Sequence, residues 1–170
     1  MSSARQALTH VDAAGRARMV DVSDKAITER RARARAVVLI SAAADAALRR
    51  GKLPKGAALE VVRLAAIQAA KRTASLIPLC HPLRLTKVDA QLSRAARGRW
   101  LVETEVVALD RTGVEMEALT AACIGALALY DMVKAVDRSA AIESVVLLEK
   151  SGGRSGRFVR SASSSAGNGR

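Results

Sequence analysis

Three prolines punctuate the whole 170-residue chain, at positions 54, 78 and 82, and they decide where a helix cannot run. Proline lacks an N–H and pushes its preceding residue out of the helical region. Pro54 and Gly56 mark a turn over Lys52–Gly56. Pro78 and Pro82 end the Ala-, Leu- and Val-rich stretch Ala57–Ser75, which reads as a helix. Between them the segment LIPLCHPL, residues 76–83, is apolar yet too proline-rich for regular structure.

The proline-free stretches carry periodic patterns. In Arg30–Ile40 (RRARARAVVLI), Arg31, Arg33 and Arg35 alternate with Ala32, Ala34 and Ala36. A strand puts the arginines on one face, whereas a helix would also align Arg31 with Arg35. Arg16–Val22 alternates loosely and reads as a short strand. Ser41–Arg50 reads as a helix, with Ser41 as its cap and Gly51 as its stop. Leu85–Leu92 and Arg99–Leu109 form a hairpin about Gly98. Glu115–Val136 is the longest helix pattern, and Ile142–Leu148 is a last strand. From residue 30 the order is strand, helix, helix, hairpin, helix, strand. That predicts an α+β fold, a ferredoxin-like βαββαβ plait with an extra helix and a mainly antiparallel sheet. Residues 1–15 read as an irregular arm, 16–158 as a single catalytic domain, and 159–170 as a disordered Ser/Gly/Arg-rich tail.

Charge narrows the partners. Lys and Arg number 28 against 16 Asp and Glu, so the net charge of +12 calls for an anionic partner. One Trp, one Tyr and one Phe are too few for a protein that stacks single-stranded bases on aromatic rings. Duplex binding through phosphates stays open, resting on the Arg31/Arg33/Arg35 stripe. Two cysteines exclude a disulfide framework, and two histidines leave little for a metal site. No apolar run reaches the ~18 residues of a membrane span. A soluble, reduced, cytoplasmic protein is expected.

Candidate chemistry lies on loops and helix ends. His81 sits between two prolines, a rigid setting for a functional imidazole or for a packed structural one. Cys80 beside it reads as a small buried residue. Asp131 and Lys134 share a helix face, as an ordinary surface ion pair or as a couple tuned for proton transfer. Glu115 and Glu117 occupy the first turn of the same helix, where the dipole alone favours carboxylates. Lys150–Gly156 (KSGGRSG) brings glycine amides and cations together, which suits an anion. Neither a Walker A loop nor a GxGxxG fingerprint is present.

In order along the chain, Thr9–Asp12 (THVD), Met19–Val22 (MVDV), Ile67–Thr73 (IQAAKRT), Leu76–Leu83, Thr112–Thr120 (TGVEMEALT), Tyr130–Asp137 (YDMVKAVD) and Lys150–Gly156 resemble the motifs of one family. It is the molybdenum-cofactor biosynthesis protein C family, the cyclic pyranopterin monophosphate synthases. The resemblance runs from Leu8 to Gly156. It implies a lyase that converts 3′,8-cyclo-7,8-dihydro-GTP to cyclic pyranopterin monophosphate and pyrophosphate, following a radical enzyme that makes the substrate. It implies no required cofactor, although Mg²⁺ can accompany the substrate phosphates, and no membrane or nucleic-acid partner. By position, Asp131, Lys134 and Lys55 match its catalytic residues. Leu79, Cys80, His81, Met116 and Glu117 match its substrate-binding segments. Glu115, Lys71, Arg30 and Lys150 match further pocket residues. A homohexamer, a trimer of dimers with interfacial active sites, is implied as well. Arg154 stands where the family usually has Lys, and Ala66 where Gly is common. A depressed lysine pKa would suit the implied proton transfers.

Overall fold

A computed structural model describes residues 15–154 and 156–161. Four long strands are β1 (Thr28–Leu39), β2 (Leu85–Ala96), β3 (Arg99–Asp110) and β4 (Ala141–Ser151), with a short β5 (Phe158–Val159). The helices are α1 (Ala42–Arg49), α2 (Ala58–Lys71), α3 (Thr73–Leu76) and α4 (Glu115–Val133). The strands form one antiparallel sheet in the order β2-β3-β1-β4-β5. This is the expected ferredoxin-like plait, with helices packed on one face.

The Arg/Ala alternation resolves as a strand. Ala32, Ala34, Ala36 and Val38 of β1 are buried against the helices, as are Trp100, Val102, Thr104, Val106 and Ala108 of β3. Small side chains let α4 seat closely on the sheet through Ala118, Ala121, Ala122, Gly125 and Ala126. At Gly125 a Cβ would stand 2.8 Å from Val102 and 3.4 Å from Ala66, so the helix meets strand and neighbouring helix there. Thr104 Oγ1 donates to the Ala118 carbonyl at 2.9 Å and ties β3 to α4.

The opposite face carries a charge ladder. Arg35 donates to Glu103 at 2.8 Å, and Arg31 and Lys87 reach Glu105 at 2.7 and 2.8 Å. Two of the three stripe arginines are thus matched by carboxylates from the neighbouring strand.

Local chemistry explains the ends. Ser41 Oγ accepts from Ala44 N at 3.3 Å and caps α1, and Gly51 closes it at φ 63°. The expected helix Ala57–Ser75 is broken at Arg72, whose backbone leaves the helical region at φ −109°, ψ 6°. α4 stops at Val133 rather than Val136. Asp137 just beyond it accepts from Ser41 N at 2.6 Å and from Ser139 N and Oγ, pinning the helix exit to the start of α1. Arg16–Val22 is not a strand: only Ala17 makes a bridge pair. The domain end expected after Phe158 falls inside β5. The THVD motif and residues 162–170 lie outside the described residues. By length and composition α4 could cross a membrane, contrary to the sequence expectation, but half of its apolar window is buried in this fold, as befits a core helix.

A buried carboxylate locks α1 to the hairpin. Asp45 accepts from Arg94 Nε and Nη2 at 2.8 and 2.9 Å and from Trp100 Nε1 at 2.9 Å. The Arg94 hydrogen bond, outweighing burial, holds its pKa at about 2. Its stabilising contribution is complete above the ordinary value of 3.8 and is lost as pH falls toward about 2. Asp45→Ala strands three N–H donors on two side chains and should cost about 1–3 kcal/mol at neutral pH. Urea unfolding should show that loss, and a smaller fall in stability between pH 4 and pH 2 than in the parent.

Candidate active site

α4 carries candidate site residues at both ends, and the fold brings other segments to each. At its N-terminal end lies a cavity of about 410 Å³ lined by Leu79, Cys80, His81, Glu115, Met116 and Glu117, together with Val20, Val22, Lys25 and Thr112. The irregular segment 77–84 therefore holds its His beside the first turn of α4, as two restrictive prolines allow. A second cavity of about 1020 Å³ shares Lys25, Thr112, Gly113 and Glu115 with the first, and adds Arg30, Arg111, Gly153, Arg154, Asp21 and Asp24.

Arg30 is 9% exposed and donates to the Asp110 and Arg111 carbonyls at 3.3 and 3.2 Å. Gly152 and Gly153, at φ 94° and 76°, pass directly over it, and a Cβ on Gly153 would collide with its guanidinium. The glycines of the KSGG segment are thus needed for close backbone approach. Glu115 folds back over Gly113 and pairs with Lys150 Nζ at 3.6 Å.

Glu117 is the unusual group. It is 4% exposed, and no ion pair to it exists among the described residues. Burial, opposed by its own backbone N–H and reinforced by nearby Glu115, raises its pKa to about 7. It can therefore exchange a proton near neutrality. Burial, with Glu117 adding, also pushes the Cys80 thiol up, which keeps Cys80 un-ionised.

The other end of α4 gathers Lys55, Asp131 and Lys134. Pro54 and Gly56 shape a tight turn closed by Gly56 N donating to Leu53 O at 3.0 Å, and this turn presents Lys55. Lys55 Nζ lies 2.5 Å from Asp131 Oδ2, and Lys134 Nζ lies 2.8 Å from Oδ1. The Lys134 and Lys55 hydrogen bonds hold Asp131 at about 2. In return Asp131 raises Lys134. The shift is opposite to the depressed lysine that would suit the implied proton transfers: Lys134 is held as an ammonium.

Glu115 and Asp131 are roughly 24 Å apart along α4, at ~1.5 Å per residue. Within one chain the expected residues fall into two groups. Leu79, Cys80, His81, Met116, Glu117 and Glu115 meet at one end with Arg30, and Lys150 joins through Glu115. Lys55, Asp131 and Lys134 meet at the other. Lys71, exposed in the last turn of α2, lines neither cavity. Sequence reasoning missed Lys25 and Arg111. Both are single cations beside the MVDV and TGVEMEALT motifs, and that adjacency was the available signal.

The plait and its clusters define an α+β protein with charged clusters at both ends of one central helix and a buried, near-neutral carboxyl at one of them. The MoaC family model matches residues 19–153, and the chain belongs to that family. Two relatives, from Chloroflexus aurantiacus strains J-10-fl and Y-400-fl, are each named cyclic pyranopterin monophosphate synthase. Each is 52% identical over 161 residues, covering 94% of this chain and 99% of its own.

A raised carboxyl pKa makes the folded state bind a proton that the unfolded chain has released. Stability therefore falls as pH rises from about 4.5 to about 7, and levels off above. Glu117→Gln should remove this decline. Melting temperatures between pH 5 and pH 8 should converge at the acid end, with the variant higher at the alkaline end.

Proposed function

We propose that this chain is a cyclic pyranopterin monophosphate synthase, converting 3′,8-cyclo-7,8-dihydro-GTP to cyclic pyranopterin monophosphate and pyrophosphate. The observation that carries this reading is the 52% identity to two proteins of that name over 94% of the chain. The reaction is a lyase reaction, with rings opened and reclosed and a cyclic phosphate formed. It needs no redox cofactor, and Mg²⁺ can travel with the substrate phosphates. The protein works in the cytoplasm, downstream of the radical enzyme that makes its substrate, without membrane or nucleic acid.

The cations fit a triphosphate. Arg30, Lys25, Arg111 and Arg154 around the larger cavity supply the phosphate contacts, and Lys150 stands beside them. His81, Met116 and Glu117 take the ring portion, with Leu79 and Cys80 forming the wall. Asp131 stays ionised at neutral pH and orients two ammonium groups. Lys134 and Lys55 enter as proton donors. Glu117, poised near neutrality, exchanges a proton with the substrate.

The separation of the two groups supports an assembled site. In a homohexamer, a trimer of dimers, the Lys55–Asp131–Lys134 end of one subunit completes the His81–Glu117 end of another. This arrangement accounts for two half-sites on one chain.

Anaerobic incubation with the cyclised GTP substrate, following pyrophosphate and the pterin product together, tests the activity. Lys134→Ala should lower kcat by about 10²–10⁴-fold with an unchanged melting temperature. Near-normal pyrophosphate release would remove Lys134 from the mechanism. Mixing inactive Lys134→Ala subunits with inactive His81→Ala subunits, after dissociation and reassembly, should restore part of the activity. No recovery in verified mixed oligomers would place both half-sites' work within one subunit.

A further inference from the structure

Beyond the KSGG segment the chain turns back and adds β5 to the outer edge of β4. Phe158 sits opposite Lys150, and Val159 opposite Glu149. Two arginines fasten this return. Arg157 Nε and Nη2 both donate to Glu149 Oε1, at 3.0 and 2.8 Å. Arg160 donates its backbone N–H to the Leu148 carbonyl at 2.8 Å and its Nε to the Leu147 carbonyl at 2.7 Å. The fastened stretch of β4 leads directly into Lys150, which pairs with Glu115, and into Arg154 on the rim of the larger cavity.

The geometry also explains why a fastening is useful. Between Lys150 and Arg157 stand Gly152, Gly153 and Gly156, all at positive φ. Glycine-rich backbone has high conformational entropy, so cations on it are held poorly unless both ends are tied. One end is tied by β1–β4 pairing, with Arg31 opposite Ser151. Toward the other end, the described residues that tie it are β5 with its two arginines and Gly156 N, which donates to the Gly153 carbonyl at 3.2 Å.

We infer that β5 is a strap: Arg157 and Arg160 act as positioning residues that set Lys150 and Arg154 for a phosphate-bearing substrate. The inference rests on the reading of the larger cavity as the phosphate site. Arg157 and Arg160 touch no substrate themselves. Their loss acts through the cations, on binding rather than on the proton transfers assigned to Lys134 and Lys55.

The test compares the full chain, a chain ending at Ser161, a chain ending at Gly156, and the full-length variants Arg157→Ala and Arg157→Lys. Each is assayed for kcat and KM, and for binding of inorganic pyrophosphate by calorimetry, with melting temperature as the check on folding. The chain ending at Ser161 should match the full chain. Arg157→Ala should raise KM and weaken pyrophosphate binding by about two- to fivefold, the range of an exposed ion pair, with kcat unchanged. Arg157→Lys should recover part of this, and ending at Gly156 should exceed Arg157→Ala in the same two readings. Equal pyrophosphate affinity in the full chain, Arg157→Ala and the Gly156 truncation would overturn the strap and leave the phosphate site standing. A full chain that binds no pyrophosphate would overturn both.

Discussion

The close seat of α4 on the sheet is the contact on which the rest depends. Small residues bring the two together, Ala32, Ala34 and Ala36 below and Ala118, Ala121, Ala122, Gly125 and Ala126 above, with larger side chains such as Val102, Val106 and Leu129 filling in around them. Small side chains contribute little transfer energy each, but they allow near approach and dense packing. Seated in this way, α4 carries the two clusters of candidate site residues at its ends. Glu115, Met116 and Glu117 project at one end, and Asp131 and Lys134 at the other. A helix lifted off the sheet by a larger residue at the seam would move both ends together.

The buried and paired carboxylates separate structure from chemistry. Asp45 and Asp137 are buried, yet each is surrounded by donors, and each pKa is lowered. Such groups are fastenings between elements. Glu117 is equally buried but has no ion pair among the described residues, so its burial favours the neutral acid. A costly, uncompensated group facing a cavity is what a binding or proton-exchanging role leaves behind. Asp131 is half exposed, and its two lysine partners reverse the balance. Its value lies in orienting cations, and it has no proton to give near neutrality.

Much of the fold was legible because its periodicities are local. Alternating Arg and Ala make β1, Ser41 and Gly51 bound α1, and Gly98 turns the hairpin. What the chain order hid is the break at Arg72, which no proline or glycine marks, and the stop of α4 at Val133, which depends on Asp137 meeting Ser41 N from far along the chain. The candidate site was legible as motifs, because the segments that carry its residues are short and rich in restricted or charged residues. Lys25 and Arg111 were not, since an isolated surface cation looks the same whether or not a cavity lies beside it. The ion pairing of Arg31 and Arg35 was hidden for a related reason: the matching carboxylates, Glu105 and Glu103, lie on another strand.

The amino-acid order by itself determined the element types, the plait and the family, because these follow from side-chain spacing and from motifs read along the chain. Tertiary structure alone decided the protonation of the key groups and their division between two ends of α4. Desolvation of Glu117, the double lysine clasp on Asp131, and the passage of Gly152 and Gly153 over Arg30 all join segments distant in sequence. A pKa depends on what surrounds a group in space, and only the folded chain defines those surroundings.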